Sequence, residues 1–123
     1  MDTSAWIDFL RKKEDRLTPY IESREACLSD IVLYELLSGL LPQRQEALKT
    51  ELTLFRRLAL AEEACLLAAR VASEMRRNRM APQTTDMLIA GTALIHQATL
   101  IHKDGDFERI ARYCPLMTIN LLK

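Results

Sequence analysis

Apolar residues recur every three or four positions along most of the chain, and this spacing predicts helices separated by short apolar runs. The clearest case is segment 62–79, where Ala64, Ala68, Val71 and Met75 share one face and charges of opposite sign occupy the two ends. Further helices are predicted over residues 5–11, 17–23, 44–58, 85–97 and 106–113.

Capping and helix-breaking residues mark the ends of two further predicted helices. Ser29 or Asp30 can cap a helix whose end is marked by Gly39 and Pro42. Pro82 interrupts the helical pattern, and Thr84 can cap the helix that follows it.

Three short apolar runs lie between the helices, at 26–28, 99–102 and 116–120, and each is long enough for a buried strand. The run 58–63 fits either a connection or a short strand. Because strands alternate with helices, the pattern predicts a single α/β domain whose sheet is mostly parallel.

Composition narrows the class of protein. The 123 residues are 49% hydrophobic and 28% charged, which favours one folded domain over a disordered chain. Lysine plus arginine equal aspartate plus glutamate, 17 of each, so any nucleic-acid site must be local. The three cysteines are widely spaced and odd in number, which argues against a disulfide framework or zinc site and favours the cytoplasm. No apolar run reaches membrane-spanning length.

Five acids lie at places where a parallel sheet would bring them together. Asp2 lies at the start of the chain, Glu35 one turn into an apolar helix and Asp86 in the first turn of the next predicted helix but two, while Asp104 and Asp106 directly follow a predicted strand. Since strand ends and the helix starts that follow them share one edge of such a sheet, these acids are expected to converge there.

Clustered carboxylates repel one another, and a hard divalent cation is what makes such a cluster tolerable. One or two such ions can activate a water for attack on a phosphodiester. Taken singly, Asp86 also fits a first-turn acid that answers the helix dipole, and Asp104 and Asp106 fit helix caps. The joint placement is what favours a metal site.

Four blocks carry a resemblance to a known family: "MDTSAWIDFL", "VLYELLSG", "TTDMLIAGTAL" and "LIHKDGDFERIA". In this order and at about this spacing they resemble the signature blocks of PIN-domain proteins, specifically the VapC toxins of toxin–antitoxin pairs. The resemblance runs from residue 1 to about residue 120.

The resemblance implies a three-layer α/β/α sandwich with a short, mostly parallel central sheet and a ribonuclease site that uses Mg²⁺ or Mn²⁺. It implies an RNA substrate, a VapB-like antitoxin and a homodimer. The implied catalytic acids are Asp2, Glu35, Asp86 and Asp104. The implied metal ligands are Asp2, Asp86, Asp104 and Asp106, and a hydroxyl of Thr3 or Ser4 supports the first acid.

The chain departs from the family pattern at its start. Relatives carry a short apolar strand ahead of the first aspartate, and here only Met1 precedes Asp2. We therefore expect the first strand to be cut short.

Two surfaces are candidates for binding partners. Arg70, Arg76, Arg77 and Arg79 form a basic cluster ahead of Asp86, which fits either RNA phosphates or a solvated helix end. The apolar face of Trp6, Phe9 and Leu10 fits the core, and an exposed part of it could receive the antitoxin.

Other classes of protein fit less well. A haloacid-dehalogenase-type phosphatase needs a second acid two residues after the first, where this chain has Ser4. A receiver domain needs an early acidic pair, which "MDTS" does not supply. A degenerate PIN module that binds RNA or protein without cleavage is the alternative function, yet none of the four main acids is lost.

Overall fold

The structure, a computed structural model, describes residues 1–11, 15–22 and 26–121. Its helices are α1 (Thr3–Leu10), α2 (Thr18–Glu22), α3 (Asp30–Ser38), α4 (Pro42–Leu52), α5 (Glu62–Arg77), α6 (Thr84–Ile95) and α7 (Gly105–Ile110). Its strands are β1 (Cys27–Ser29), β2 (Arg56–Leu58), β3 (Leu100–His102) and β4 (Thr118–Asn120), and a 3₁₀ turn (Asp15–Leu17) precedes α2. The predicted α/β class is confirmed.

Two predicted helices end or divide differently. The helix predicted over 44–58 stops at Leu52, and Arg56–Leu58 forms β2 instead. This segment pairs with β1, and the pairing places Leu58 in the interior. The helix predicted over 17–23 is the 3₁₀ turn plus α2, and Ser23 lies outside the described residues.

Of the two helix caps predicted from the sequence, one is confirmed and one is wrong. The Ser29 hydroxyl accepts a hydrogen bond from the Val32 N–H (3.2 Å) and caps α3, and Gly39 ends this helix. Thr84, by contrast, is the first residue of α6, and Gln83 takes the cap position without a side-chain capping bond.

The strands are all parallel, as predicted, but they form two pairs. In one pair Cys27 lies opposite Arg56, and in the other Leu100 lies opposite Thr118. A cavity of about 380 Å³ lies between the pairs and is lined by residues of β1, β3 and α6. The single central sheet of the prediction is therefore divided in the described part of the chain.

Close packing of α5 on α6 anchors the second half of the core. A Cβ at Gly91 of α6 would lie 2.6 Å from the Ala64 carbonyl oxygen of α5 and 3.2 Å from the Ala68 Cβ. Only glycine allows this approach, so α5 fixes the position of α6 and of the acid in its first turn. None of the helices within the described ranges is long and apolar enough to cross a membrane.

Candidate metal site

Three carboxylates meet where α6 and α7 begin. Asp86 lies in the first turn of α6, Asp104 is the N-cap of α7, and Asp106 lies in the first turn of α7. One oxygen of each lies within 4.8 Å of the others. The structure thus brings together three of the four predicted metal ligands.

Local hydrogen bonds fix the orientation of Asp104. Its Oδ1 accepts a hydrogen bond from the Asp106 N–H (2.9 Å), as an N-cap side chain does. Its own N–H donates to Nδ1 of His102 (3.2 Å). The Asp104 carboxylate is therefore held by its role as a cap as well as being available to a cation.

A partly buried chain of hydrogen bonds also supports the orientation of Asp104. His102 is fully buried, as expected for a strand-end residue, and Nδ1 accepts from Asp104, so the ring proton lies on Nε2. That Nε2–H faces Glu108 Oε1 at 3.2 Å, and the Thr118 hydroxyl donates to the same oxygen at 3.2 Å. The parts played by Glu108 and Thr118 were not predicted from the sequence.

Asp2 is firmly placed although it lies at the second position of the chain. Its side chain is 3% exposed, and its N–H donates to the Ile101 carbonyl oxygen (2.9 Å). Oδ1 accepts from the Ala5 N–H (2.8 Å), which caps α1, and Oδ2 lies 3.4 Å from the Lys103 N–H. Burial raises the pKa of Asp2, opposed by the bonds from Ala5 and Lys103. Asp2 lies outside the group of three ligand oxygens.

Glu35 is held by a hydroxyl from the start of the chain. The Thr3 Oγ1 donates to Glu35 Oε1 at 2.5 Å, across 32 residues of sequence. The resemblance assigned a supporting hydroxyl to Asp2, and the structure directs that of Thr3 to Glu35 instead. Ser4 is exposed to solvent.

Four of the five predicted acids act on the fifth, Asp86. The pKa of Asp86 is raised to about 6, first by burial and then by the negative charges of Asp104, Asp106, Glu35 and Asp2. A divalent cation with oxygen ligands is the species that fits this donor set, because it relieves the repulsion that folding creates.

Of the predicted RNA-binding arginines, one lies in the middle of α5 and the other three lie at or just after its C-terminal end. Arg70, Arg76, Arg77 and Arg79 are all exposed, and Arg77 forms an ion pair with Glu74 (3.2 Å). The structure places a different arginine at the acids. Arg109, one turn into α7, donates to Asp106 Oδ1 at 2.8 Å.

The predicted antitoxin face is only partly available. Trp6 is 0% exposed and packs edge-on against Phe9 and Phe55, with ring centroids 5.9 and 4.8 Å away. Phe9 and Leu10 are half-buried. Trp6 therefore belongs to the core, and of the three residues only Phe9 and Leu10 are partly exposed to solvent.

Comparison with known proteins agrees with this geometry. The family model of the PIN domain matches residues 1–113, so the chain belongs to the PIN-domain family. A VapC ribonuclease of Mycobacterium bovis is 30% identical over 126 aligned positions, which cover 91% of this chain and 90% of that relative. Ribonuclease VapC11 of Mycobacterium tuberculosis matches with the same identity and coverage.

Solved structures show the same fold. DNA-bound VapBC of Salmonella typhimurium aligns with a TM-score of 0.81 at 21% identity, covering 97% of this chain and 94% of that chain. VapBC2 of Rickettsia felis, bound to a promoter DNA fragment, aligns with a TM-score of 0.78 at 21% identity, covering 97% and 95%. The predicted PIN-like fold is thereby confirmed.

Proposed function

We propose that this chain is a metal-dependent endoribonuclease and the toxin of a type II toxin–antitoxin pair. The observation that carries the proposal is the meeting of Asp86, Asp104 and Asp106, whose ligand oxygens lie within 4.8 Å of one another. The names of the relatives, which are VapC ribonucleases, support the same chemistry.

Asp86, Asp104 and Asp106 would hold Mg²⁺ or Mn²⁺, with Asp2 close enough to add its charge to the site. When bound, such an ion supplies an activated water and neutralises charge on the phosphodiester. Within the protein, Glu35 is oriented through Oε1 by Thr3, which leaves Oε2 to accept a proton from a water. The hydrogen-bond chain from His102 to Thr118 keeps Asp104 in place.

Partner proteins belong to the same proposal. The aligned structures of Salmonella typhimurium and Rickettsia felis are VapBC assemblies, which supports a VapB-like antitoxin for this chain. We propose that the antitoxin contacts the exposed parts of Phe9 and Leu10. A homodimer, a cytoplasmic location and RNA contacts by Arg70, Arg76, Arg77 and Arg79 complete the proposal.

The test is cleavage of RNA by the purified chain with and without Mg²⁺. We predict that Asp2→Asn, Glu35→Gln, Asp86→Asn and Asp104→Asn each lower the rate by roughly 100-fold or more, because each keeps the shape of the side chain and removes its charge. Asp106→Asn should have a milder effect, since Arg109 already engages that carboxylate.

The matched control is Glu46→Gln, which changes an exposed acid of α4 and should leave the rate unaltered. Undiminished cleavage in a chelator, or full activity of Asp86→Asn, would refute the mechanism. Absence of cleavage by the unmodified chain in Mg²⁺ or Mn²⁺ would instead favour a PIN module that binds without cleaving.

A further inference from the structure

A cavity of about 340 Å³ opens directly beside the carboxylates, and Asp86 and Asp106 form part of its lining. A cation held by these acids would therefore stand at the mouth of a pocket rather than on an open surface. A phosphodiester brought to that cation carries a ribose and a base on either side, so the pocket lies within one nucleotide of the reacting bond.

One wall of the cavity is apolar and fixed. Met75 is buried, Met80 and Pro82 are half-buried, and all three line the cavity. The turn that ends α5 sets the two methionines beside each other, because the Met80 N–H donates to the Met75 carbonyl oxygen (3.0 Å) while Arg79 adopts a left-handed conformation. Thioether side chains make favourable contacts with aromatic rings, so this wall suits the face of a flat ring.

The polar part of the lining has one amide that local structure does not use. Gln83 holds the N-cap position of α6, yet its side chain makes no capping hydrogen bond. A primary amide can donate and accept at once, and it pairs in this way with the edge of a nucleobase.

The charge of the lining selects against a second phosphate. Asp86 and Asp106 carry two negative charges, and the one positive charge, on Arg109, is already paired with Asp106 at 2.8 Å. When a cation is bound it takes up the charge of the two acids, and because Arg109 is already paired, this lining leaves no positive charge free for a second phosphate. An uncharged heteroaromatic ring does not need one.

We infer that this cavity receives the base of a nucleotide adjacent to the cleaved phosphodiester, with Met75 and Met80 against the ring and Gln83 at its edge. The inference rests on the proposed ribonuclease activity and makes Gln83 a specificity-determining residue. Single-stranded RNA is commonly recognised through such splayed-out bases.

The first experiment follows methionine methyl groups by NMR, in protein labelled with ¹³C at the methionine methyls and supplied with Mg²⁺. Titration with the four nucleoside 5′-monophosphates should shift the Met75 and Met80 signals. Met117, which is 55% exposed and outside this lining, serves as the internal control. Ribose 5-phosphate, which lacks a base, should leave Met75 and Met80 unchanged.

The second experiment sequences the ends produced from a random-sequence RNA pool. Gln83→Leu should lose about tenfold discrimination among bases at one position beside the cut, which corresponds to a lost bidentate contact. Gln43→Leu makes the same change at an exposed site on α4 and should keep the wild-type preference.

The outcomes separate the subsite from the activity. If ribose 5-phosphate shifts the methionines as the nucleotides do, or if Gln83→Leu keeps the wild-type base preference, the subsite is wrong even though the chain cleaves RNA. If the chain cleaves no RNA but nucleotides alone shift Met75 and Met80, the base site stands and the ribonuclease proposal fails. Loss of a co-expressed partner protein by Gln83→Leu, with nucleotide shifts intact, would assign the cavity to that protein and overturn the inference.

Discussion

Asp86 lies among four other carboxylates, so folding places its charge in a repulsive field that the unfolded chain does not have. Burial and then the neighbouring acids, Asp104 first, raise its pKa from 3.8 to about 6. The folded state therefore binds more protons than the unfolded state between about pH 4 and pH 6, and the free energy of unfolding rises as pH falls through that window. We predict a higher melting temperature at pH 5 than at pH 7 in the presence of a chelator.

The substitution that isolates this effect is Asp86→Asn. At pH 7 it should raise the free energy of unfolding of the metal-free protein by about 1 kcal/mol, after allowance for solvent screening, and it should flatten the pH dependence. A smaller pH dependence of the same sign should remain in this variant, because burial also raises the pKa of Asp2. Glu46→Gln is the control, and a wild-type melting temperature that falls from pH 7 to pH 5 would contradict the argument.

The acids of the site can be predicted from the sequence more readily than the hydrogen-bond partners that orient them. The five acids can be identified by where they fall relative to strand ends and helix starts, and the other four raise the pKa of Asp86. The bond from Thr3 to Glu35 spans 32 residues, and the link from Glu108 to Thr118 spans 10. Such pairs depend on side-chain placement in three dimensions, which no local pattern records.

At the scale of elements, the periodicity of apolar residues predicts the helices correctly. It fails where the secondary structure of a segment depends on pairing with a distant strand. Segment 62–79 has a wide apolar stripe and an acidic start, and α5 forms there. Residues 56–58 continue the helical pattern of α4, yet they pair with β1 because this buries Leu58. A strand of three residues is too short to show the alternating apolar pattern by which strands are predicted.

Gly91 gives the packing of α5 on α6 a direct test. In Gly91→Ala, the new Cβ would meet the Ala64 carbonyl oxygen at 2.6 Å, so the helices must separate. We predict a loss of about 1–2 kcal/mol in the free energy of unfolding, since overpacking outweighs the better helix propensity of alanine. Denaturant unfolding measures the loss, and Mg²⁺ affinity should fall with it because α6 carries Asp86.

The matched control is Gly39→Ala at the end of α3. The nearest atoms to a Cβ there are 3.8 and 3.9 Å away, and the backbone φ of −79° suits alanine. This change should be neutral or stabilise by up to about 0.5 kcal/mol. Equal unfolding free energies for both variants would show that α5 and α6 do not pack as closely as described.

For the molecule as a whole, parallel topology explains how the acids at positions 86, 104 and 106 lie together and how those at 2 and 35 come close enough for their charges to act on Asp86. This convergence could be predicted because strand ends and following helix starts share an edge. The division of the strands into two pairs could not be predicted, because the register and neighbour of each strand depend on long-range pairing. The expectation of a shortened first strand remains a prediction.

The cavity between the two strand pairs carries that prediction further. Asp2 donates from its N–H to the Ile101 carbonyl oxygen, and Met1 lines the cavity together with Leu100 and Ile101 of β3. The space of about 380 Å³ there is lined by β1 on one side and β3 on the other. We predict that four engineered apolar residues of high strand propensity, added before Met1, pair with both edges and fill this space.

The energetics favour such an extension modestly. Burial of a valine or isoleucine side chain contributes about 1.5–3 kcal/mol, and fixing each residue costs about 1–2 kcal/mol of backbone entropy, so four residues should add about 2 kcal/mol. The expected rise in melting temperature is roughly 5 °C or more, together with tighter Mg²⁺ binding, because Asp2 would then follow a paired strand. An extension of equal length made of serine and lysine is the control, since these side chains gain little free energy from burial. If the apolar and polar extensions melt at the same temperature, the cavity does not accept a strand, and Asp2 is already held as firmly as the fold allows.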